Sequence, residues 1–327
     1  VSVGIMENIN ITNIIGTRIS NNDNQVGCIR FRGGKSINIS NVTLNDSGGT
    51  GIRMTVDSNQ SVENVNISNV VINNITSSLV GYGISVEGTS AYPCKNITFD
   101  NIKIVGSVSA GFNATYLNNS TIKDVTVQSP KLTVRGFEIK NSKFLNMLGC
   151  RTINTPSTAL GLTDCDTVNL SNTNILDAVR VGIYVSGTTT NLICNSNSVS
   201  DSRTPKLITT GIRLETSITN PRIRLFGNNF YGILNPVDGN MISIASNIVQ
   251  DNIIQMGNSS TTPFRSSTTY VKGIVNQSTA SADSASAPST NYTQSEVQAI
   301  LTELRDLKTK LRTAGILAPN TPEQKDT

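Results

Sequence analysis

The sequence predicts an all-β solenoid, a right-handed single-stranded parallel β-helix, followed by a short C-terminal α-helix that associates as a coiled coil. Three observations predict it. An apolar-Asn motif recurs about every 27 residues, a Gly-led strand motif runs in step with it, and near the C-terminus the apolar period changes from 2 to heptad spacing.

The first motif appears in "INISNVTL" (37–44), "VNISNVVI" (65–72) and "ITFDNIKI" (97–104), each apolar-x-apolar-x-Asn-apolar-x-apolar. "STIKDVTV" (120–127) carries Asp124 in the Asn place. "INITNII" (9–15), "VNLSNTNI" (168–175) and "VQDNII" (249–254) are looser copies. The Asn-type position thus falls at 13, 41, 69, 101, 124, 172 and 252, with two periods between 124 and 172. Asn is a poor strand former, but among non-Gly residues it best tolerates the left-handed region that a corner between short strands demands. Asn41, Asn69 and Asn101 are therefore expected at equivalent corners, their amides stacked in a ladder. Val65, Ile67, Val70 and Ile72 are expected inside the coil, Asn66 and Ser68 outside.

The second motif puts Gly before an alternating strand: "TGIRM" (50–54), "YGISV" (82–86), "AGFNA" (110–114), "RGFEI" (135–139), "LGLTD" (160–164), "VGIYV" (181–185) and "TGIRL" (210–214), with "GCIRFR" (27–32) shifted by one. Each period then holds about three short strands and no helical pattern. The L-x-x-L-x-L scaffold of leucine-rich repeats is absent, and propeller blades are longer and richer in aromatics. One β-helical coil per period remains, over residues 1–257.

Composition agrees. Of 327 residues only 15 % are charged and 5 % aromatic, with no His and no Trp, which is too apolar for disorder and too β-branched for a helical domain. The net charge of +4 has no Lys/Arg block behind it, so no nucleic-acid surface is expected. No apolar run approaches the roughly 20 residues of a membrane span. No signal peptide is read at the start, and Val1 in place of Met is expected of a processed or trimmed fragment. Cys28, Cys94, Cys150, Cys165 and Cys194 are an odd number, far apart, without C-x-x-C or His. They read as free buried thiols of a protein assembled in a reducing compartment, with no metal site and no cofactor.

Past Ile254 the repeat fades. Residues 258–292 are Ser/Thr/Ala-rich and read as a linker with one short strand at "TYVKGIV". In 293–317, Val297, Ile300, Leu304, Leu307, Leu311 and Ala314 alternate by 3 and 4, the a/d seam of a coiled coil. Thr293 and Glu296 make a capping box, Gly315 is placed to stop the helix, and Glu303 and Lys308 sit at g and e. Ile at d with Leu at a leans toward trimers or tetramers. An amphipathic helix packed on its own solenoid is the alternative. Residues 318–327 are expected to be a disordered tail.

An Asn-rich parallel β-helix ending in a helix such as "LTELRDLKTKLRTAGIL" resembles phage tailspikes and neck appendages, in particular the pre-neck appendages and related prophage proteins of Bacillus phages. Pectate lyases and polygalacturonases share the coil. The resemblance implies a homotrimeric virion protein, displayed on a tail or neck appendage beside other virion proteins. It implies binding of host cell-surface polysaccharide or wall teichoic acid, with depolymerisation in many members. The His-containing signatures of polygalacturonases are missing, and no virion-anchoring domain is expected within residues 1–327.

The Gly-led strands should stack into one sheet with two outward columns. One is read as Arg30, Arg53, Ser85, Asn113, Glu138, Thr163, Tyr184, Arg213. The other is Arg32, Thr55, Glu87, Thr115, Lys140, Ser186, Glu215. A polar face with carboxylates and a Tyr suits a glycan, and Arg53, Glu87, Tyr184, Arg213 and Glu215 are the binding candidates. The same pattern also fits a solvated face of cross-strand pairs. Glycosidases use two carboxyl groups about 5–5.5 Å or roughly 6.5–9.5 Å apart, and stacked coils are about 4.8 Å apart. Glu138 and Asp164, one coil apart, are the catalytic candidates, with Glu87 two coils from Glu138. Asp164-x-Asp166 reads as a turn before a cation site. Without His no Ser-His-Asp mechanism is available. The open classes are a trimeric glycan-binding spike with endoglycosidase activity, a non-enzymatic adhesive fibre, and a secreted polysaccharide lyase or hydrolase.

Overall fold

Period-2 alternation interrupted by Asn dictates the coil. Val62–Asn73 runs as one twelve-residue strand in which Val65, Ile67, Val70 and Ile72 are buried while Asn66 and Asn69 are exposed. The strand bends because Asn64, Asn69 and Asn74 lie at φ of 56°, 53° and 53°. Every fifth residue is thus a left-handed corner, a conformation open to Asn at low cost and expensive for β-branched residues. The same triplet recurs at Asn8/Asn13/Arg18, Ser36/Asn41/Asp46, Asn96/Asn101/Gly106 and Asn119/Asp124/Ser129. The single Asn corner expected from sequence is therefore one of three in this part of the coil. The gap between 124 and 172 is filled by Gly149 at φ 63°.

The corners stack as expected. Asn41 donates to Asn13 Oδ1 (3.2 Å), Asn69 to Asn41 (3.2 Å) and Asn101 to Asn69 (2.9 Å). A second ladder joins Asn66 to Asn38 and Asn38 to Asn10, each at 2.8 Å, along the outer face. Inside, one continuous apolar cluster runs through the coils, with Phe99 and Phe112 edge to face at 4.9 Å. Each fully buried Ile or Phe contributes about 1.5–3 kcal/mol.

The structure is a computed structural model, and it describes residues 6–18, 27–56, 60–76, 81–131, 135–215, 222–233, 235–237, 248–250, 253–255 and 294–313. Among the described residues the chain is a parallel β-solenoid of about eight turns, mostly strand, with one helix. Among the described residues all strand pairs are parallel, in one 15-stranded and one 9-stranded sheet. The smaller sheet holds the Gly-led strands, among them Thr50–Thr55, Ile84–Glu87, Phe112–Thr115, Phe137–Lys140, Leu160–Thr163, Val181–Ser186 and Thr210–Leu214. Gly is required there by close approach. A Cβ on Gly83 would lie 2.3 Å from Ile104 Cγ2, and one on Gly111 2.2 Å from Val127 Cγ1.

One register differs from the sequence reading. Leu160 pairs with Phe137 and Ile183, so "LGLTD" is shifted by two residues and Ala159 takes the Gly place. Gly161, not Thr163, stands beside Glu138, and Thr163 joins the second column beside Lys140.

Contacts divide the chain into residues 1–262 and 263–327. In the second unit Gln294–Thr313 is helical, with Leu304 61 % and Leu307 52 % exposed and Lys310 paired with Asp306 at 2.8 Å. It is not long and apolar enough to cross a membrane. The expected corner at Asn252, the linker 258–292, the cap at Thr293, and the side chains of Val297, Ile300, Leu311 and Ala314 lie outside the described residues. The five cysteines are free. Burial pushes the thiols of Cys94, Cys150 and Cys194 up to about 12 and that of Cys165 to about 11.

Candidate functional site

The 9-stranded sheet turns its outward residues to one face. Its register aligns Arg30, Arg53, Ser85, Asn113, Glu138, Gly161, Tyr184 and Arg213 in one column, and Arg32, Thr55, Glu87, Thr115, Lys140, Thr163 and Ser186 in the next. Period 2 puts both columns on the solvent side, because the residues between them fill the core.

At one level Arg53 Nη2 donates to Glu87 Oε2 at 2.7 Å. Ser85, fully buried although it points outward, donates to the other Glu87 oxygen at 2.8 Å and accepts from Asn113 Nδ2 at 3.3 Å. Glu87 is therefore held in one orientation from two sides. Two coils on, Glu138 meets Lys140 Nζ at 2.7 Å and Arg135 Nη1 at 3.7 Å.

Gly161 explains where Arg135 lies. A Cβ on Gly161 would come within 2.5 Å of Arg135 Nη1, so the missing side chain makes the slot that the guanidinium occupies. From that slot Arg135 reaches back to Glu138 and stacks over the Tyr184 ring, 5.4 Å from its centroid. The result is a planar cation on an aromatic ring, bracketed by a carboxylate.

Sequence reasoning passes over Arg135 and Tyr82. Both immediately precede the Gly of their motifs, in "RGFEI" and "YGISV", and a long cationic or phenolic side chain where the other motifs carry Thr, Ala, Leu or Val was the available signal. Tyr82 is half-buried. Burial pushes its phenol up, the charges of Glu138 and Glu87 push it further, and Arg53 pulls it back. Tyr82 therefore sits in the field of both carboxylates.

The remaining candidates lie apart from this cluster. Arg213 is exposed beside Tyr184 in the same column. Glu215 accepts from Gly187 N at 3.2 Å. Asp164 is a corner residue at φ 54°, its Oδ1 accepting from Thr188 N (2.8 Å) and Thr188 Oγ1 (3.0 Å). It pins the turn of the following coil, in keeping with the turn reading of Asp164-x-Asp166. Gly161 is the register partner of Glu138, and Asp164 lies three residues further along. The backbone separation of the two acids is then roughly 11 Å, one coil across and three residues along. Glu138 pairs with Lys140 and Arg135, and Asp164 accepts from Thr188. Six cations (Arg30, Arg32, Arg53, Arg135, Lys140, Arg213) share the face with three carboxylates (Glu87, Glu138, Glu215), so its field is net positive.

Residues 3–199 match the family described as right handed beta helix region. No curated protein matches the chain. Similar solved structures include two A-modules of mannuronan C-5 epimerases from Azotobacter vinelandii. AlgE6 is 14 % identical with a TM-score of 0.43, over 71 % of this chain and 77 % of that one. AlgE4 is 13 % identical with a TM-score of 0.32, over 68 % and 76 %. A third is the receptor-binding protein of bacteriophage Det7, a podoviral tailspike in a myovirus. It is 14 % identical with a TM-score of 0.34, over 72 % of this chain and 53 % of that one.

Proposed function

This chain belongs to the family of right-handed β-helix regions, and from there we propose that it binds an acidic polysaccharide along the outer face of its 9-stranded sheet. The observation that carries the reading is Arg135 stacked over Tyr184 above the Gly161 slot, at the centre of a face with six cations. The Tyr184 ring holds the Arg135 guanidinium in place, and forked guanidinium groups suit the carboxylates or phosphates of an anionic chain. Successive coils repeat these groups at about 4.8 Å, so a polymer lying along the axis meets several of them. Host wall polymers of this chemistry include teichoic acid. With the heptad seam of the C-terminal helix and the resemblance to pre-neck appendages, the role proposed is a homotrimeric tailspike-type appendage. It would stand on a virion beside other virion proteins and attach to the host cell surface.

The alternative reading, cleavage by the same face, would take Glu138 as its acid. The engagement of both Glu138 and Glu87 by cations at 2.7 Å favours holding a polymer over cutting it. One set of variants separates these roles. Tyr184→Ala and Arg213→Ala are expected to weaken binding to host-wall polymer roughly fivefold each, about 1 kcal/mol, with unchanged circular dichroism. Glu138→Gln is expected to keep binding and lose any release of reducing ends. Wild-type cleavage by Glu138→Gln would clear that residue, and no release by the wild type leaves an adhesive fibre. Undiminished binding by both Tyr184→Ala and Arg213→Ala would remove the face from the function.

A further inference from the structure

Across the molecule, on the 15-stranded sheet, a depression of about 250 Å³ opens between Phe144, Asn146, Thr167, Asn169 and Ile193. Three features meet there. The first is its corners. Phe144 (φ 55°) and Thr167 (φ 56°) occupy the left-handed column that elsewhere holds Asn8, Ser36, Asn64, Asn96, Asn119 and Asn191. Bulky and β-branched residues are outliers in that region, and such strain persists where something other than stability maintains it. Two adjacent coils carry it here.

The second is exposure. Phe144 is 54 % and Ile193 37 % accessible, two apolar side chains standing two coils apart with polar groups between them. The third is the floor. Asn146 and Asn169 are register partners in the column whose earlier members, Asn10, Asn38 and Asn66, are joined at 2.8 Å. Among the described residues neither Asn146 nor Asn169 makes a side-chain hydrogen bond, so both amides present donors and acceptors outward. No charged side chain is among the described lining residues, and at its edge the Asp166 carboxylate accepts from Asn191 Nδ2 (2.8 Å) and Thr167 Oγ1 (3.1 Å).

We propose that this depression is a second glycan site, independent of the cationic face, that takes a neutral disaccharide unit. A sugar ring stacks its C–H face on Phe144, its hydroxyls or acetamido groups bond to Asn146 and Asn169, and a second ring rests on Ile193. The distance fits, because two coil steps span roughly 10 Å, about the length of a disaccharide. Few polar groups set into an apolar rim are what a small ligand site requires. A lining without cations, with the Asp166 carboxylate at its edge, selects against the acidic polymer of the other face.

The test uses the full chain with maltose, cellobiose and N,N′-diacetylchitobiose as probes at millimolar concentration, read by saturation-transfer difference NMR. At least one of the three is expected to bind the wild type, and to lose at least tenfold in affinity with Phe144→Asn and with Asn169→Ala. Phe144→Asn restores the residue type of its column, so its melting temperature should rise by a few degrees while binding falls. Loss of binding then cannot be assigned to unfolding. No transfer to any of the three sugars overturns the proposal, as does transfer that survives Phe144→Asn. So does light scattering in which Phe144→Asn lowers the oligomeric state without affecting any sugar, since the depression would then be covered by a second copy of the chain.

Discussion

Asn69→Val isolates the physics of the corner. Asn69 lies at φ 53° on the surface, donates to Asn41 Oδ1 at 3.2 Å and accepts from Asn101 Nδ2 at 2.9 Å. Val pays about 1–2 kcal/mol for the left-handed conformation. It also forfeits two exposed amide bonds, at about 0.5 kcal/mol each. The sum is about 2–3 kcal/mol, which for a solenoid of this size lowers the thermal midpoint by about 5–8 °C. Strand propensity alone gives the opposite sign, because Val is among the best strand formers and Asn among the poorest. Asn69→Gly is the control. It loses both bonds but keeps the backbone unstrained, and it should lie about 1 kcal/mol above Asn69→Val. Thermal melts by circular dichroism near 218 nm give all three midpoints in one experiment. An Asn69→Val protein as stable as the wild type, or no less stable than Asn69→Gly, would refute the left-handed corner as the reason for the repeat.

Three further outcomes follow from the packing. Gly111→Ala places a methyl 2.2 Å from Val127 Cγ1 and should cost about 1–3 kcal/mol; adding Val127→Ala should recover part of that loss, and strict additivity of the two melting shifts would count against the close approach. Asp201 is fully buried. Burial pushes its carboxyl up, but the Arg203 side chain and the backbone N–H groups of Ile208, Leu207 and Arg203 outweigh this and hold it at about 2. A depressed folded-state value means stability that is present above the unfolded carboxylate range and lost as pH falls from about 4 through 2. Asp201→Asn should therefore be about 2 kcal/mol less stable at pH 7, with a flatter stability profile over that window, and parallel profiles would contradict the ionised anchor. Leu304→Asp with Leu307→Asp would bury two charges in the proposed helical seam at a cost of several kcal/mol. The double variant should keep its β-rich circular dichroism while its mass by light scattering falls toward one chain, and an undiminished oligomer would move self-association to the solenoid.

Most of the fold was legible because its determinants are local and periodic. Alternation assigns Val65, Ile67, Val70 and Ile72 to the inside, and Asn69 marks the corner through its own backbone preference. The other two corners were harder to read, since Ser36, Phe144 and Thr167 hold left-handed geometry that their residue types do not announce. The inward position after the second corner also loses its signal along the chain. It is Val42, Val70, Ile102 and Val125 in the early coils but Thr173, Asn197 and Asn228 later. There the amides of Asn197 and Asn228 hydrogen-bond to each other and to core carbonyls, and so keep a polar column inside. The face was legible as two columns, with the error at Gly161 arising because Ala159 fills a place otherwise held by Gly. What joins residues across coils was not legible. Arg135 reaches Tyr184 only because Gly161 is empty above the strand, and that is a property of register and not of any one motif.

The binding claim is tested most directly by titrating labelled polyglycerol-phosphate teichoic acid against the wild type and Arg135→Ala at low and high salt, with an uncharged dextran of equal length as control. If the cationic face holds the polymer, the wild type binds teichoic acid and not dextran, and its affinity falls steeply with salt. Arg135→Ala then binds at least fivefold more weakly with a smaller salt effect. Equal affinity for the two polymers, or Arg135→Ala binding as tightly as the wild type at low salt, would contradict it.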